Sequence, residues 1–199
     1  MKRFLKKIHT NTQGFTLVEL VISVGIFAMM TALLIAKYGT FNQGILLTNL
    51  AYDVALTVRN AQSYGLNVKS AIRDENQFGF PYGVHFEKGS ETFIFFNDIH
   101  VPDDPSDPSD FRYSGSLEDI SISKMKRSVV VSDLCVGTPS NCATASTLDV
   151  AFQRPNPDAI ITGDSPTPHY SYAEITLLGT DGSTRKIIVR STGQIAVQN

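Results

Sequence analysis

A single acid inside a long apolar run is the residue with the clearest chemical consequence in this sequence. Residues 15–36 read FTLVELVISVGIFAMMTALLIA, and Glu19 is the only charged side chain among them. Folded as one helix, the run spans about 33 Å, which is long enough to cross a bilayer. Because a carboxylate in hydrocarbon costs about 2 to 3 kcal/mol unless it finds a partner, Glu19 is a candidate functional residue.

The run itself contains no cation for Glu19, but proteolysis would create one. Four basic residues precede Gly14: Lys2, Arg3, Lys6 and Lys7. The next basic residue is Lys37. Cleavage between Gly14 and Phe15 would leave a new α-amino group four residues before Glu19. That amine could approach the carboxylate within one helix, and the amine of a neighbouring subunit could serve equally well.

The charges that flank the run predict its orientation in a membrane. Basic residues concentrate before it, which favours a cytoplasmic N-terminus and places the bulk of the chain outside. A cleaved secretory signal and a simple one-pass anchor are the alternatives, and both would have to explain Glu19. In a secretory signal the cleavage site follows the apolar core, whereas Gly14 precedes it, so cleavage here would leave the anchor attached.

The sequence GFTLVE at positions 14–19 resembles the cleavage and methylation motif of type IV prepilins and type II secretion pseudopilins. The likeness includes the basic leader, the glycine before the cut, the acid at the fifth mature position and the apolar helix. It implies that prepilin peptidase removes residues 1–14 and methylates the amine of Phe15. It also implies that Glu19 pairs with the Phe15 amine of an adjacent subunit, in a buried ion pair that sets register more than net stability.

After residue 36 the apolar residues follow a narrower helical pattern. They recur at steps of three and four: Leu47, Leu50, Val54, Val58 and Ala61. Gly39 and Gly44 predict a pliable stretch near the middle of one long helix, and Gly65 predicts its end. We therefore expect an amphipathic helix over 37–66 that packs on a globular domain over 67–199.

Beyond residue 67 the apolar period becomes twofold, which predicts strands. Residues 82–87 and 92–97 alternate around a turn at 88–91, and a second hairpin is expected from 173 to 190 with its turn at 179–182. Further strands are expected near 120–122, 129–131, 148–152 and 194–197. The expected fold class is α+β and pilin-like: a long N-terminal helix, membrane-spanning in its first half, packed on a C-terminal antiparallel sheet.

Bulk charge makes nucleic acid an unlikely partner. The chain has 17 basic and 19 acidic residues, and loss of the four leader cations leaves 13 basic residues and a formal charge of −6. Phosphate binding then lacks its simplest driving force. A local basic patch remains the basis of an alternative, DNA uptake at a filament tip, and its candidate residues are Lys124, Lys126, Arg127, Arg185, Lys186 and Arg190.

The two cysteines of the chain lie close together in LCVGTPSNC. Gly137 and Pro139 favour a turn that could bring Cys135 and Cys142 into a disulfide, and two free thiols in a loop are the alternative. In the chain-entropy model a bond closing so short a loop stabilises the fold by about 2.5 kcal/mol. Such a bond suits a domain outside the cytoplasm.

No catalytic residue, cofactor site or metal site is predicted. The histidines His9, His85, His100 and His169 are scattered, and none has zinc-ligand spacing. His85 is expected on a strand face opposite Val84 and Phe86, as a surface or turn-facing histidine. The acids Asp103, Asp104, Asp107 and Asp110 could offer oxygens to calcium, but DDPSDPSD lacks a calcium-loop signature and favours a solvated loop.

The expected function is therefore structural and not enzymatic. The chain is expected to be a minor pilin or pseudopilin of a type IV pilus or a type II secretion pseudopilus. Residues 50–68 and 187–197 are similar to H-type minor pseudopilins and related minor pilins, and Ala36 stands where many major pilins carry proline. An anchored envelope enzyme with a borrowed pilin-like signal is a further alternative, which no residue pattern supports.

The resemblance also implies partners and a location. The partners are other pilin or pseudopilin subunits, prepilin peptidase, an inner-membrane assembly platform, and membrane lipid before assembly. The location is the cytoplasmic membrane in a single pass, with the C-terminal domain outside, and then the pilus or pseudopilus.

Overall fold

The fold is taken from a computed structural model that describes residues 14–67, 79–99, 110–165 and 169–198. The chain divides into two compact units, Met1–Phe41 and Asn42–Asn199. The leader before Gly14, His9, His100 and the acids at 103, 104 and 107 lie outside the described residues. Predictions about them therefore stay predictions.

One helix, α1 (Leu17–Leu66), contains both helical segments expected from the sequence. Its first part, over 17–36, exposes nearly every side chain, as expected of a segment that has no core of its own. It is long and apolar enough to cross a membrane. The part within the second unit is amphipathic and buries four residues of the expected stripe, Leu47, Val54, Val58 and Ala61, together with Ala51. The fifth expected residue, Leu50, is partly buried against the same core.

The second unit contains two five-stranded antiparallel sheets within the described residues. The strands are β1 (Tyr82–Glu87), β2 (Thr92–Asn97), β3 (Asp119–Lys124), β4 (Val130–Thr138), β5 (Asn141–Ala145), β6 (Thr147–Phe152), β7 (Ile160–Thr162), β8 (Tyr172–Leu178), β9 (Thr184–Arg190) and β10 (Ile195–Gln198). A 3-10 turn (Lys126–Ser128) joins β3 to β4. The first sheet has the order β3-β2-β1-β6-β7 and the second β10-β9-β8-β4-β5.

Both sheets share one hydrophobic core with α1. Val84 and Phe86 of β1, Leu134 of β4 and Ile175 of β8 are fully buried in the same cluster as the helical stripe. Alternation explains this packing, because every second side chain of a strand points to one face. The α+β class is confirmed, with the C-terminal sheet resolved into two sheets.

Gly65 has a different role from the helix stop expected of it. The helix continues to Leu66, so Gly65 lies inside the last turn. A Cβ at this position would clash with the carbonyl oxygen of Phe152, and the amide of Arg154 donates to the Gly65 carbonyl at 3.0 Å. Glycine is therefore needed because the helix backbone approaches the end of β6 too closely for any side chain.

Candidate processing and assembly site

The start of α1 is organised by a side-chain cap that also involves Glu19. The Glu19 amide donates to Thr16 Oγ1 at 3.2 Å, which makes Thr16 the N-cap and Glu19 the third helical residue. Thr-x-x-Glu is the capping-box pattern, and a carboxylate in the first turn is favoured by the helix dipole. The sequence contained this signal at 16–19, and the sequence analysis missed it.

The proposed cleavage position lies in exposed, non-helical chain. Gly14 to Thr16 precede the helix, and the Phe15 side chain is 71% exposed. A Cβ added at Gly14 would meet no described atom within 4 Å. Packing within the described residues therefore does not require glycine at position 14. Recognition of this position by a processing enzyme would explain the glycine.

The polar groups of the spanning segment are satisfied, apart from the acid. Ser23 Oγ donates to the Glu19 carbonyl at 2.7 Å, and Thr31 Oγ1 donates to the Phe27 carbonyl at 2.8 Å. Such bonds to the preceding turn are what hydroxyls need in hydrocarbon. Within the described residues, Glu19 forms no salt bridge. In hydrocarbon, the Glu19 carboxylate would therefore need a cationic partner from outside the described chain.

The comparisons with known proteins bear on this same segment. A family model described as the prokaryotic N-terminal methylation motif matches residues 9–35. This is the N-terminal motif of type IV prepilins and pseudopilins. The match includes Gly14, Phe15 and Glu19, together with almost all of the apolar run. No curated protein and no solved structure matches this chain.

The two cysteines of the chain form a disulfide in the β4–β5 hairpin. The Cα atoms of Cys135 and Cys142 are 5.6 Å apart, which is within the range of such bonds. The hairpin turns through Pro139 and Ser140, since Thr138 pairs with Asn141. The turn expected from Gly137 and Pro139 is present.

The basic residues proposed as a DNA patch are largely engaged elsewhere. Lys124 Nζ lies 3.3 Å from Glu91 Oε2, and Lys186 Nζ lies 2.7 Å from Glu174 Oε1. Arg185 Nε donates to Thr48 Oγ1 at 3.0 Å. These contacts neutralise or occupy the cations, and they weaken the case for phosphate binding.

The calcium possibility gains no support from the described residues. Asp110 Oδ1 accepts a bond from the Arg112 amide at 3.1 Å, which is a local turn. Among residues 14–67, 79–99, 110–165 and 169–198, no group of three or more His, Cys, Asp or Glu side chains could hold a metal ion.

His85 is not a solvent-exposed surface histidine but faces a loop, which is the second of the two environments expected for it. Its side chain is 15% exposed, and Nδ1 lies 2.7 Å from Oδ1 of Asp149, whose side chain is 2% exposed. His85 does face away from Val84 and Phe86, but residues 110–113 cover that face of the sheet. The rings of His85 and Tyr113 are 4.9 Å apart. Cross-strand pairing of β1 with β6 sets His85 directly beside Asp149.

Two further groups complete what we call the Asp149 cluster: His85, Arg112, Tyr113 and Asp149. The Tyr113 amide donates to Asp149 Oδ1 at 3.4 Å, and Arg112 Nε lies 3.8 Å from Oδ2. Burial raises the pKa of Asp149, while the hydrogen bond and charge of His85 and the charge of Arg112 act to lower it. Burial, together with a hydrogen bond to Asp119, raises the pKa of Tyr113 to about 12.

The Asp149 cluster holds a long connection against the sheet. The connection runs from β2 to β3, and its described part is also fixed by Glu118, whose Oε2 accepts from the Ser114 amide at 2.7 Å. Asp98 Oδ2 accepts from the Phe111 amide at 2.7 Å. A His-Asp pair could orient a nucleophile, but within the described residues no hydroxyl or thiol is bonded to His85. The cluster is best explained as a structural clamp.

Proposed function

We propose that this chain is a structural subunit of a type IV pilus or a type II secretion pseudopilus. The observation that carries the proposal is the methylation motif over 9–35, which coincides with an exposed apolar helix that could span a membrane. In this proposal prepilin peptidase cuts between Gly14 and Phe15 and methylates the Phe15 amine. Methylation leaves a protonatable amine, so the positive charge needed by Glu19 persists.

The mechanism is one of helix transfer. Before assembly, residues 17–36 lie in lipid, with the N-terminus cytoplasmic and the globular domain outside. During assembly, an inner-membrane platform extracts the subunit, and the apolar helices of neighbouring subunits bury one another. Shape alone would let such helices slide, whereas pairing of Glu19 with the Phe15 amine of an adjacent subunit fixes their register.

We assign the chain a minor role in the filament and no catalytic activity. The assignment is supported by Ala36, and by the likeness of 50–68 and 187–197 to H-type minor pseudopilins and related minor pilins. The Asp149 cluster holds a loop against a sheet, which supports a structural role for these polar residues.

Replacing Gly14 with Leu should block processing without disturbing the fold. The new side chain meets no described atom, so the variant should be inserted into the membrane but keep residues 1–14 and stay out of filaments. The measurement is the size of the membrane-bound product, and its presence in sheared filaments, in cells with and without prepilin peptidase.

The matched control is Gly25→Leu, which adds the same side chain within α1, eleven residues after Gly14, again with no described atom within 4 Å. This variant should be processed normally. Normal cleavage and incorporation of Gly14→Leu would contradict the proposal, as would wild-type processing in cells that lack the peptidase.

A further inference from the structure

Two basic residues of the 3-10 turn between β3 and β4 remain unpaired within the described residues. Of the six cations considered above as a DNA patch, four are held by an acid, a hydroxyl or an aromatic ring of the chain: Lys124, Lys186, Arg185 and Arg190. The other two, Lys126 and Arg127, are exposed and form no salt bridge in the part of the chain that the structure describes. Their positive charges are therefore free to bind a ligand.

The backbone of this turn presents the two cations in an unfavourable conformation. Arg127 has a φ of 60° and a ψ of 42°, and Ser128 has a φ of 52°, so two successive residues with side chains lie in the left-handed region. Met125 and Val129, which flank the turn, are both buried in the core. The core therefore fixes the turn at both ends and leaves Lys126 and Arg127 exposed. Strained backbone that a packed core holds in place is typical of a functional site.

The turn forms one wall of a pocket against α1, within the second unit. The pocket has a volume of about 230 Å³, and its lining includes Leu46, Leu50 and Asp53 of the helix and Lys126 and Arg127 of the turn. Among the described residues, the Asp53 carboxylate forms no salt bridge, although it lines the same pocket as the two cations. The pocket thus keeps two positive charges and one negative charge apart, beside apolar side chains.

A ligand that carries both a phosphate and a primary ammonium matches this set of charges. Lys126 and Arg127 suit the phosphate, because ammonium and guanidinium groups donate strong hydrogen bonds to its oxygens. Asp53 suits a primary ammonium, which donates hydrogen bonds to a carboxylate. A quaternary ammonium has no such donor and is usually bound by aromatic rings, and none of the described lining residues is aromatic. The carboxylate also disfavours a ligand that carries phosphate alone, such as nucleic acid.

The position of the pocket in the chain brings phospholipid within its reach. The apolar span ends at Ala36, and Gln43 of the pocket lining follows seven residues later. Seven residues cover at most about 25 Å. The headgroup layer begins where the hydrocarbon core ends, so a chain anchored through this span can place the pocket among headgroups. The leucines of the lining also suit the apolar part of a lipid next to its headgroup.

We propose that this pocket binds the phosphoethanolamine headgroup of a phospholipid in the leaflet where the apolar span ends. Lys126 and Arg127 bind the phosphate, and Asp53 binds the ammonium. The site is separate from the processing and assembly site, and it requires from the proposed function only that residues 17–36 lie in lipid. The bound headgroup holds the globular domain at the membrane surface until the subunit is extracted.

Lipid binding to the full chain in detergent micelles tests the site. The chain is titrated separately with short-chain phosphatidylethanolamine, phosphatidylcholine, phosphatidylglycerol and inorganic phosphate, and the bound molecules are counted by native mass spectrometry. Phosphatidylethanolamine should bind about tenfold more tightly than each of the others, because it alone satisfies both the cations and the carboxylate. Equal binding of the three lipids, a preference for another ligand, or no binding would overturn the inference.

Glycine variants of the turn separate loss of a cation from damage to the fold. Arg127→Gly should lower the affinity for phosphatidylethanolamine about tenfold or more. Its thermal unfolding midpoint should stay at or above that of the wild type, because glycine adopts a positive φ without a Cβ clash. Ser128→Gly is the matched control, since it relieves the same backbone strain but keeps both cations, and its lipid binding should equal that of the wild type. Unchanged binding by Arg127→Gly would contradict the assignment of the phosphate.

An Asp53→Asn variant tests the ammonium contact. It should lose the preference for phosphatidylethanolamine over phosphatidylglycerol, because the amide keeps the size of the side chain but not its charge. A preference that survives would contradict the assignment of the headgroup. None of these measurements depends on cleavage after Gly14 or on assembly. A chain that is processed and assembled but binds no lipid would therefore defeat this site alone, whereas a chain that is never processed would defeat the proposed function alone.

Discussion

Replacing Glu19 with Gln is expected to exclude the chain from filaments almost as completely as replacing it with Ala. In the filament, each variant leaves the amine of Phe15 buried without an anion, and breaking one side of a buried ion pair costs about 3–5 kcal/mol. That cost corresponds to a loss of incorporation of about a hundredfold or more. The measurement is the amount of variant in sheared filaments relative to the amount processed in the membrane.

Gln is the informative substitution because Glu19 also belongs to the cap of α1. The cap bond in the structure uses the Glu19 backbone amide, which both variants keep, but only Gln also has a side chain that can complete a capping box. If the cap were the whole function of Glu19, the Gln variant would assemble normally, and that result would remove the ion pair from the mechanism.

The complementary control is Thr16→Ala, which removes the cap acceptor bonded to the Glu19 amide but keeps the carboxylate. It should weaken the first turn by about 0.5–2 kcal/mol. Its incorporation into filaments should stay close to that of the wild type.

The Asp149→Ala variant should lose about 3–5 kcal/mol of unfolding free energy, because the partly buried His85 and Arg112 would lose the buried carboxylate between them. The Tyr113 amide would also lose its acceptor. The measurement is urea unfolding of the full chain in detergent micelles, followed by circular dichroism of the strands.

Asp133→Ala is the matched control for that loss. Asp133 Oδ1 lies 2.8 Å from Lys88 Nζ, but the two side chains are 46% and 42% exposed. An exposed pair of this kind contributes about 0–1 kcal/mol. If Asp149→Ala were no less stable than Asp133→Ala, the Asp149 cluster would not be the clamp described above.

The elements that depend on neighbouring residues could be predicted from the sequence. The hairpin of β1 and β2 and that of β8 and β9 lie where alternation and turn residues placed them. The buried stripe of α1 also follows from its spacing. In each case the partner lies within a few residues, so the pattern itself specifies the contact.

The elements that depend on distant pairing could not be predicted in this way. β6 lies beside β1, more than sixty residues away in the chain, and this pairing creates the first sheet and brings Asp149 to His85. Alternation showed which face His85 takes but not that residues 110–113 cover it. The short strands β5 and β7 likewise depend on neighbours that the local sequence does not identify.

At the N-terminal site, the chemistry could be predicted from the sequence, whereas the helix cap was not predicted. Its chemistry could be read from Gly14, Phe15 and Glu19, because a lone acid in an apolar run requires a cation. The cap formed by Thr16 was also encoded in the Thr-x-x-Glu pattern at 16–19, but it was not predicted. Both roles are compatible, since the cap uses the backbone amide and the ion pair uses the carboxylate.

Mass spectrometry of the native N-terminus tests the central claim most directly. The account predicts that the product isolated from membranes or filaments begins at Phe15 and carries one additional methyl group on its amine. A product that still begins at Met1, or one trimmed beyond Ala36, would contradict it, because the amine proposed to pair with Glu19 would then not exist in the apolar helix.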